Sequence, residues 1–163
     1  MANLLFATAG SKLDIGPVKA FQDTDLTASD FTTGSPTWTT IGGATNLGSA
    51  GDTANLVTTE HILSARTRKL KGTRNAGSMT VVCDIDYSDA GQIALVAAEK
   101  TRDAYSFRMT FNDAPQGGTP SLRYFTALVM SVVEQFDEAN SVMKLNATLE
   151  IDSNIVRVAA AEA

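Results

Sequence analysis

Residues 77–87 have the sequence GSMTVVCDIDY, which contains the alternation that decides the fold. Apolar residues occupy every second position of this stretch: Met79, Val81, Cys83, Ile85 and Tyr87. Successive side chains of a β-strand point to opposite faces of a sheet, so the pattern predicts a strand with one apolar face. The same alternation predicts that Asp84 and Asp86 share its polar face.

Other stretches carry a similar strand pattern. They are residues 55–63, 105–111, 122–133 and 142–152, of which residues 122–133 are apolar on both alternating registers. The last two are long, and we expect them to pair as a hairpin through residues 134–140. Strands of this length have long edges, which must be paired or closed.

Residues 89–101 have the strongest helix pattern. Asp89 and Gln92 stand at capping-box spacing, and Ile93, Val96 and Ala97 share one helical face. We expect that face to pack against a sheet. The sequence therefore predicts a mainly β protein with one helix inserted between strands.

The composition favours a single domain. The 163 residues are 44% hydrophobic and 19% charged, as in one globular domain with a real core. Residues 9–55 are rich in Gly, Ser, Thr and Asp, which favours loops over packed strands. We therefore predict one domain over residues 1–163, with residues 1–35 an N-terminal arm and residues 153–163 a C-terminal tail.

The charge is acidic overall and basic in one place. A net charge of -5 argues against a protein that grips nucleic acid by neutralising phosphates. Residues 64–76, SARTRKLKGTRNA, are predicted to form a loop that holds five cations: Arg66, Arg68, Lys69, Lys71 and Arg74. Three interpretations of this loop stay open: it contacts phosphate, it contacts an acidic surface on another subunit, or it is a solvated loop without a partner. Basicity confined to one part of an acidic protein suits contacts between copies of that protein.

The residues that catalysis or metal binding would need are few. His61 is the only histidine and no nucleophile-elbow sequence occurs, so we predict no enzyme. Cys83 is the only cysteine, which excludes an intrachain disulfide and a multi-cysteine metal site. The carboxylates of Asp84, Asp86 and Asp89 permit a divalent-ion site, but a solvated strand face followed by a helix N-terminus is favoured. We therefore predict no metal and no cofactor.

The sequence pattern does not predict a secretory signal or a membrane-spanning helix. The N-terminal stretch lacks a basic residue before a short apolar run, and no apolar run elsewhere approaches the roughly 18 residues of a spanning helix. We expect a cytosolic product without a membrane anchor.

The order of these features resembles the tail tube proteins of long-tailed, siphovirus-type bacteriophages over residues 38–151. The segments that carry the resemblance are WTTIGG (38–43) before a Gly-Ser-Asp loop, residues 55–63, the basic loop leading into GSMT (77–80), YSDAGQ (87–92), AYSFRMTFN (104–112), RYFTALVMSVV (123–133) and residues 140–151. None of them is a catalytic signature, and the resemblance depends on their succession.

The resemblance implies a β-sandwich or barrel-like domain of two packed sheets with long strands, flanked by one α-helix and related to type VI secretion tubes. It implies a structural virion protein that self-assembles into stacked hexameric rings, through which DNA passes without sequence-specific binding. Tape-measure, tail terminator and tip proteins are the further partners implied. Assembly is expected in the cytoplasm of the host bacterium, and the product is a virion tail.

The resemblance also suggests roles for individual residues. The basic loop is expected to reach the adjoining ring and place its cations near Asp137 and Glu138 or another acidic patch. Lumen-facing positions are expected at four residues: Asp84, Asp86, Lys144 and Glu150. Alternatives are a type VI secretion-like or gene-transfer-agent tube and, from another class, a β-sandwich ligand-binding module.

Overall fold

The computed structural model of the protein describes residues 5–163. The elements in chain order are β1 (Lys12–Val18), α1 (Ser29–Thr32), β2 (Thr39–Thr40), β3 (Ala44–Asn46), β4 (Thr53–Thr59), β5 (Arg68–Asn75), β6 (Ser78–Asp84), α2 (Ala90–Glu99), β7 (Tyr105–Thr110), β8 (Leu122–Gln135), β9 (Lys144–Ile151) and β10 (Val156–Val158). The predicted mainly β fold class is confirmed.

The strands form one large sheet and one small one. The large sheet has the order β2-β1-β7-β8-β9-β6-β3, with β10 added beside β8, and the small sheet is β4-β5. Strand β8 is 14 residues long and joins two halves of the large sheet. Its first part pairs with β7 and its second part with β9, and Ala127 is paired on both sides.

The large sheet is curled like a barrel. In a flat sheet, β2 and β3 would lie six spacings apart, about 29 Å at ~4.8 Å per spacing. Only residues 41–43 join the two strands, and a chain from residue 40 to residue 44 spans at most about 14 Å. The joining segment bonds to β1 and to β6, because Ile41 N–H donates to the Leu13 carbonyl and Asp84 N–H to the Gly43 carbonyl, each at 2.9 Å.

The core lies inside this curl. Buried side chains of both halves belong to one cluster, among them Leu13, Phe107, Val81 and Leu149. Leu95 of α2 belongs to the same cluster. The apolar alternation predicted for residues 77–87 and 142–152 is therefore the packing pattern of β6 and β9.

Helix α2 begins where predicted but buries a different face. The Asp89 side chain caps the helix by accepting from Gln92 N–H at 2.8 Å. The buried residues are Gly91, Gln92, Leu95 and Ala98, whereas Ile93 and Val96 are exposed. The predicted packing face is therefore wrong. A side chain at position 91 would overlap the Thr40 backbone, so glycine lets this face approach the sheet.

The predicted N-terminal arm is wrong for Lys12–Val18. This segment is β1, which pairs with β7, and Leu13 and Ile15 are buried. Asp14, on the opposite face of the strand from Leu13 and Ile15, is fully buried; Arg108 holds it at 2.6 Å, and Thr40 Oγ1 donates to it at 2.6 Å. Residues 1–4 of the predicted arm lie outside the described residues.

The C-terminal segment packs on its own chain. Val156–Val158 pair with Leu122–Tyr124 of β8, and Ala161 forms a bridge with Thr119. A tail free from residue 153 onward is therefore wrong for these positions. Within residues 5–163, neither helix combines the length and apolar character that a membrane crossing requires.

Candidate assembly surfaces

The predicted basic loop is mostly a strand. Residues Arg68–Asn75 form β5, which pairs with β4, so residues 53–75 form what we call the projecting hairpin. Most side chains on both faces of this hairpin are exposed. The prediction of a loop over residues 64–76 is wrong for Arg68–Asn75, because these residues pair with β4, whereas residues 64–67 lie outside the strand.

The projecting hairpin concentrates positive charge. It holds five of the chain's 13 Lys and Arg residues and only one of its 18 Asp and Glu residues. In the described part of the chain, the salt bridges are Arg108–Asp14 and Lys144–Asp84, and neither involves the hairpin. The five predicted contact cations are therefore free to meet carboxylates on another molecule.

Apolar side chains also lie on this hairpin. Leu56, Val57 and Leu70 are exposed along its strands. Ile62 and Leu63 at its tip are fully exposed, at 106% and 102%. An isolated two-stranded hairpin is marginally stable in water, so this one is suited to gain stability from a partner.

The β8–β9 turn lies at the opposite end of the sheet. Ser78 of β6 is paired with Glu150 beside the hairpin, and Asp84 is paired with Lys144 at the other end. The turn, residues 136–143, follows Gln135, which is itself paired with Lys144. The predicted contact carboxylates Asp137 and Glu138 therefore lie at the end remote from the hairpin, which we call the turn end.

A polar face covers β6, β9 and the second part of β8, opposite the core. Its members on β6 and β9 are Ser78, Thr80, Val82, Asp84, Lys144, Asn146, Thr148 and Glu150. Asp84 and Lys144 form a salt bridge across the strands. Three of the four predicted lumen residues therefore share one face, and we call it the ladder face.

Asp86 lies elsewhere. Strand β6 ends at Asp84, so the prediction that strand alternation places Asp86 beside it is wrong. The Asp86 carboxylate accepts from Ser88 Oγ at 2.6 Å and Ser88 N–H at 2.9 Å. These two bonds hold the pKa of Asp86 below its ordinary value, and the bond from the Ser88 hydroxyl has the larger effect.

The possible divalent-ion site is not assembled. Asp84 pairs with Lys144, Asp86 with Ser88, and Asp89 caps α2. Across residues 5–163, no group of three or more His, Cys, Asp or Glu side chains is arranged to hold a metal. Each carboxylate therefore has a structural partner instead of a shared ion.

The ladder face has two open edges. On the side of β8 away from β9, strand β7 stops at Ala127, and no described strand pairs with residues 128–135. At the other margin, β3 ends the sheet beside β6. The continuous apolar run predicted a long strand at β8, but it carried no signal for which half would lack a partner.

No protein-family model matches the chain, and no curated protein is significantly similar to it in sequence. Solved structures do match. A chain of the anti-feeding prophage baseplate is 11% identical, with 98% of each chain covered and a TM-score of 0.65. A chain of the sheath/tube terminator of the PVC extracellular contractile injection system is 9% identical, covering 98% of this chain and 100% of that chain, with a TM-score of 0.70.

The SPP1 tail tube protein is 14% identical, covering 95% of this chain and 80% of that chain, with a TM-score of 0.61. The chain therefore has the fold found in phage tail tubes and contractile injection systems, and the predicted resemblance is confirmed at the level of the fold.

Proposed function

We propose that the chain is the subunit of a siphovirus-type tail tube, which forms hexameric rings that stack around a channel for DNA. The observation that carries this proposal is the pair of open edges on one four-stranded ladder, in a chain with the tail tube fold. Open edges expose unpaired backbone groups, and closure of a sheet removes them.

Strand direction favours closure between copies. The strands β3, β6, β9 and β8 alternate in direction, because each neighbouring pair is antiparallel. Rotation about a ring axis preserves strand direction along that axis. The open edge of β8 therefore meets β3 of the next copy in the antiparallel sense, and repetition of this contact closes a ring.

The ladder face then lines the channel. We assign Asp84, Lys144 and Glu150 to the lumen, with Asp86 at its rim. The Asp84–Lys144 pair neutralises itself, and most of the remaining ladder face is uncharged. Such a wall offers few cations to hold phosphates, so DNA can pass without being bound.

Stacking uses the two ends of the sheet. The cations of the projecting hairpin meet Asp137 and Glu138 at the turn end of a copy in the adjoining ring. A contact between two different surfaces is heterologous, and it propagates without limit when rotation does not close it. The separation of basic and acidic surfaces to opposite ends of the sheet favours this head-to-tail arrangement.

The remaining proposed partners are other tail proteins, and the proposed location is the virion. Rings stack around a tape-measure protein, end on terminator and tip proteins, and belong to the virion tail, assembled in the bacterial cytoplasm. The likeness to contractile injection system chains favours one alternative, an injection tube that carries another cargo.

Native mass spectrometry tests ring closure by counting the copies in each complex, and the substitutions compared are at Met130. Met130 is exposed in the open half of β8, at a bulge where the pairing with β9 shifts. Proline is tolerated at bulges and edges but cannot donate a ladder hydrogen bond. We expect six-copy complexes from the unmodified chain and from Met130→Ala, and folded monomers from Met130→Pro. Another stoichiometry, or rings from the proline variant, contradicts the proposed closure.

A further inference from the structure

The tip of the projecting hairpin presents two large aliphatic side chains to water. Ile62 and Leu63 are the most exposed large hydrophobic residues among residues 5–163. A single exposed aliphatic residue is ordinary, but these two are adjacent and lie at the end of a hairpin that packs on no core. Their burial against an apolar partner is favourable in proportion to the area removed from water.

A matching apolar surface lies at the turn end. Phe136, Val142 and Met143 are 58%, 59% and 43% exposed, and they lie on the two sides of one turn. Asp137 and Glu138 lie between them along the chain. The turn end thus combines an apolar surface with carboxylates, whereas the tip combines Ile62 and Leu63 with cations that follow them.

The two surfaces lie apart within one chain, where the tip is fully exposed. They leave opposite ends of β6, whose seven residues span about 20 Å at ~3.3 Å per residue. The hairpin begins beyond the Ser78 end of that strand, whereas the turn lies beyond Asp84. The turn end of a second copy offers the tip both an apolar surface and carboxylates.

We propose that Ile62 and Leu63 are the apolar anchor of ring stacking, an inference that rests on the proposed function. They insert against three residues of the next ring: Phe136, Val142 and Met143. The cations of the hairpin then orient the approach, and the aliphatic contact holds the rings once they touch. Added salt screens charges but does not weaken apolar burial. Stacks formed by this contact persist at salt concentrations that suppress an attraction between charges alone.

Cysteine cross-linking tests the contact directly. Leu63→Cys is combined with Val142→Cys, and in a second variant with Phe136→Cys, while native Cys83 stays in place because it is buried. A disulfide requires Cα atoms within about 7 Å, and the two positions lie beyond opposite ends of β6 in one chain, so the bond is expected to form between copies. After oxidation of assembled protein, we expect a ladder of cross-linked copies from a double variant and monomers from each single variant.

Tube length supplies an independent measurement. Ile62→Ser with Leu63→Ser is expected to raise the concentration needed for stacking at least about tenfold while six-copy rings remain. Phe21→Ser is the matched control, since Phe21 is an exposed apolar residue on neither surface. Normal tubes from the tip variant, or tubes that give no ladder from either double variant, overturn the anchor and leave the ring proposal intact. Failure of the unmodified chain to form rings would overturn the proposed function, and the anchor with it.

Discussion

The large sheet and the projecting hairpin are both built from antiparallel strand pairs, but they differ in how far their side chains are buried. In the large sheet, residues such as Phe107 are completely buried, whereas Leu70 of the hairpin is 61% exposed. Hydrogen-bonded pairing is therefore present in both, but only the large sheet removes its apolar side chains from water. The large sheet therefore supplies both the core and the open edges proposed for ring closure, whereas the hairpin supplies a contact surface without a core.

The largest effect is expected in the core. Phe107→Ala removes a ring that stacks on Phe125 with centroids 5.6 Å apart. Loss of such a buried ring costs about 3–5 kcal/mol of unfolding free energy. Leu70→Ala, the matched change in the hairpin, is expected to stay within about 0.5 kcal/mol for the monomer. Urea unfolding measures both, and equal losses would mean that the hairpin packs in the isolated chain.

An intermediate effect is expected on stacking. Replacement of Arg66, Arg68, Lys69, Lys71 and Arg74 with Ser leaves monomer stability nearly unchanged, because these side chains are exposed. Stacking weakens at low salt, and its dependence on salt falls, since the attraction between ends is lost. Sedimentation across a salt series measures this change. The control replaces Lys12, Lys100 and Arg102, and a control that behaves like the hairpin variant refutes a specific role.

The smallest effect concerns a surface turn of the sheet. The Ser121 side chain, and after it the Ser121 N–H that donates to Asp113 at 2.7 Å, lower the pKa of Asp113 below its ordinary value of 3.8. A depressed folded pKa contributes stability above pH 3.8 that is lost as pH falls through the folded value. Asp113→Asn should therefore differ from the parent near neutral pH and converge with it in acid. Thermal unfolding between pH 2 and 6 measures the difference, and a constant gap contradicts this linkage.

The sequence predicted the strands whose alternation reports burial on one face. Residues 78–84 and 144–151 belong to this group, and the length of β8 followed from its continuous apolar run. The cap of α2 was also predictable, because Asp89 makes a local hydrogen bond. These features depend on neighbours in the chain, so their pattern is visible without the fold.

The missed features depend on distant partners. Asp14 fits the alternation of β1, because Leu13 and Ile15 lie on the core face, but its complete burial depends on Thr40 and Arg108, which are 26 and 94 residues away. The buried face of α2 depends on the approach of Gly91 to Thr40. For the candidate site, composition identified the five cations and the ladder carboxylates, but the opposite placement of hairpin and turn follows from strand register.

The central claim is that this chain builds a conduit from copies of itself. Negative-stain electron microscopy of the purified full chain over a concentration series tests that claim most directly. The account predicts rings that give way to hollow tubes of uniform diameter as concentration rises. Monomers at every concentration, also when terminator and tape-measure partners are supplied, would contradict it.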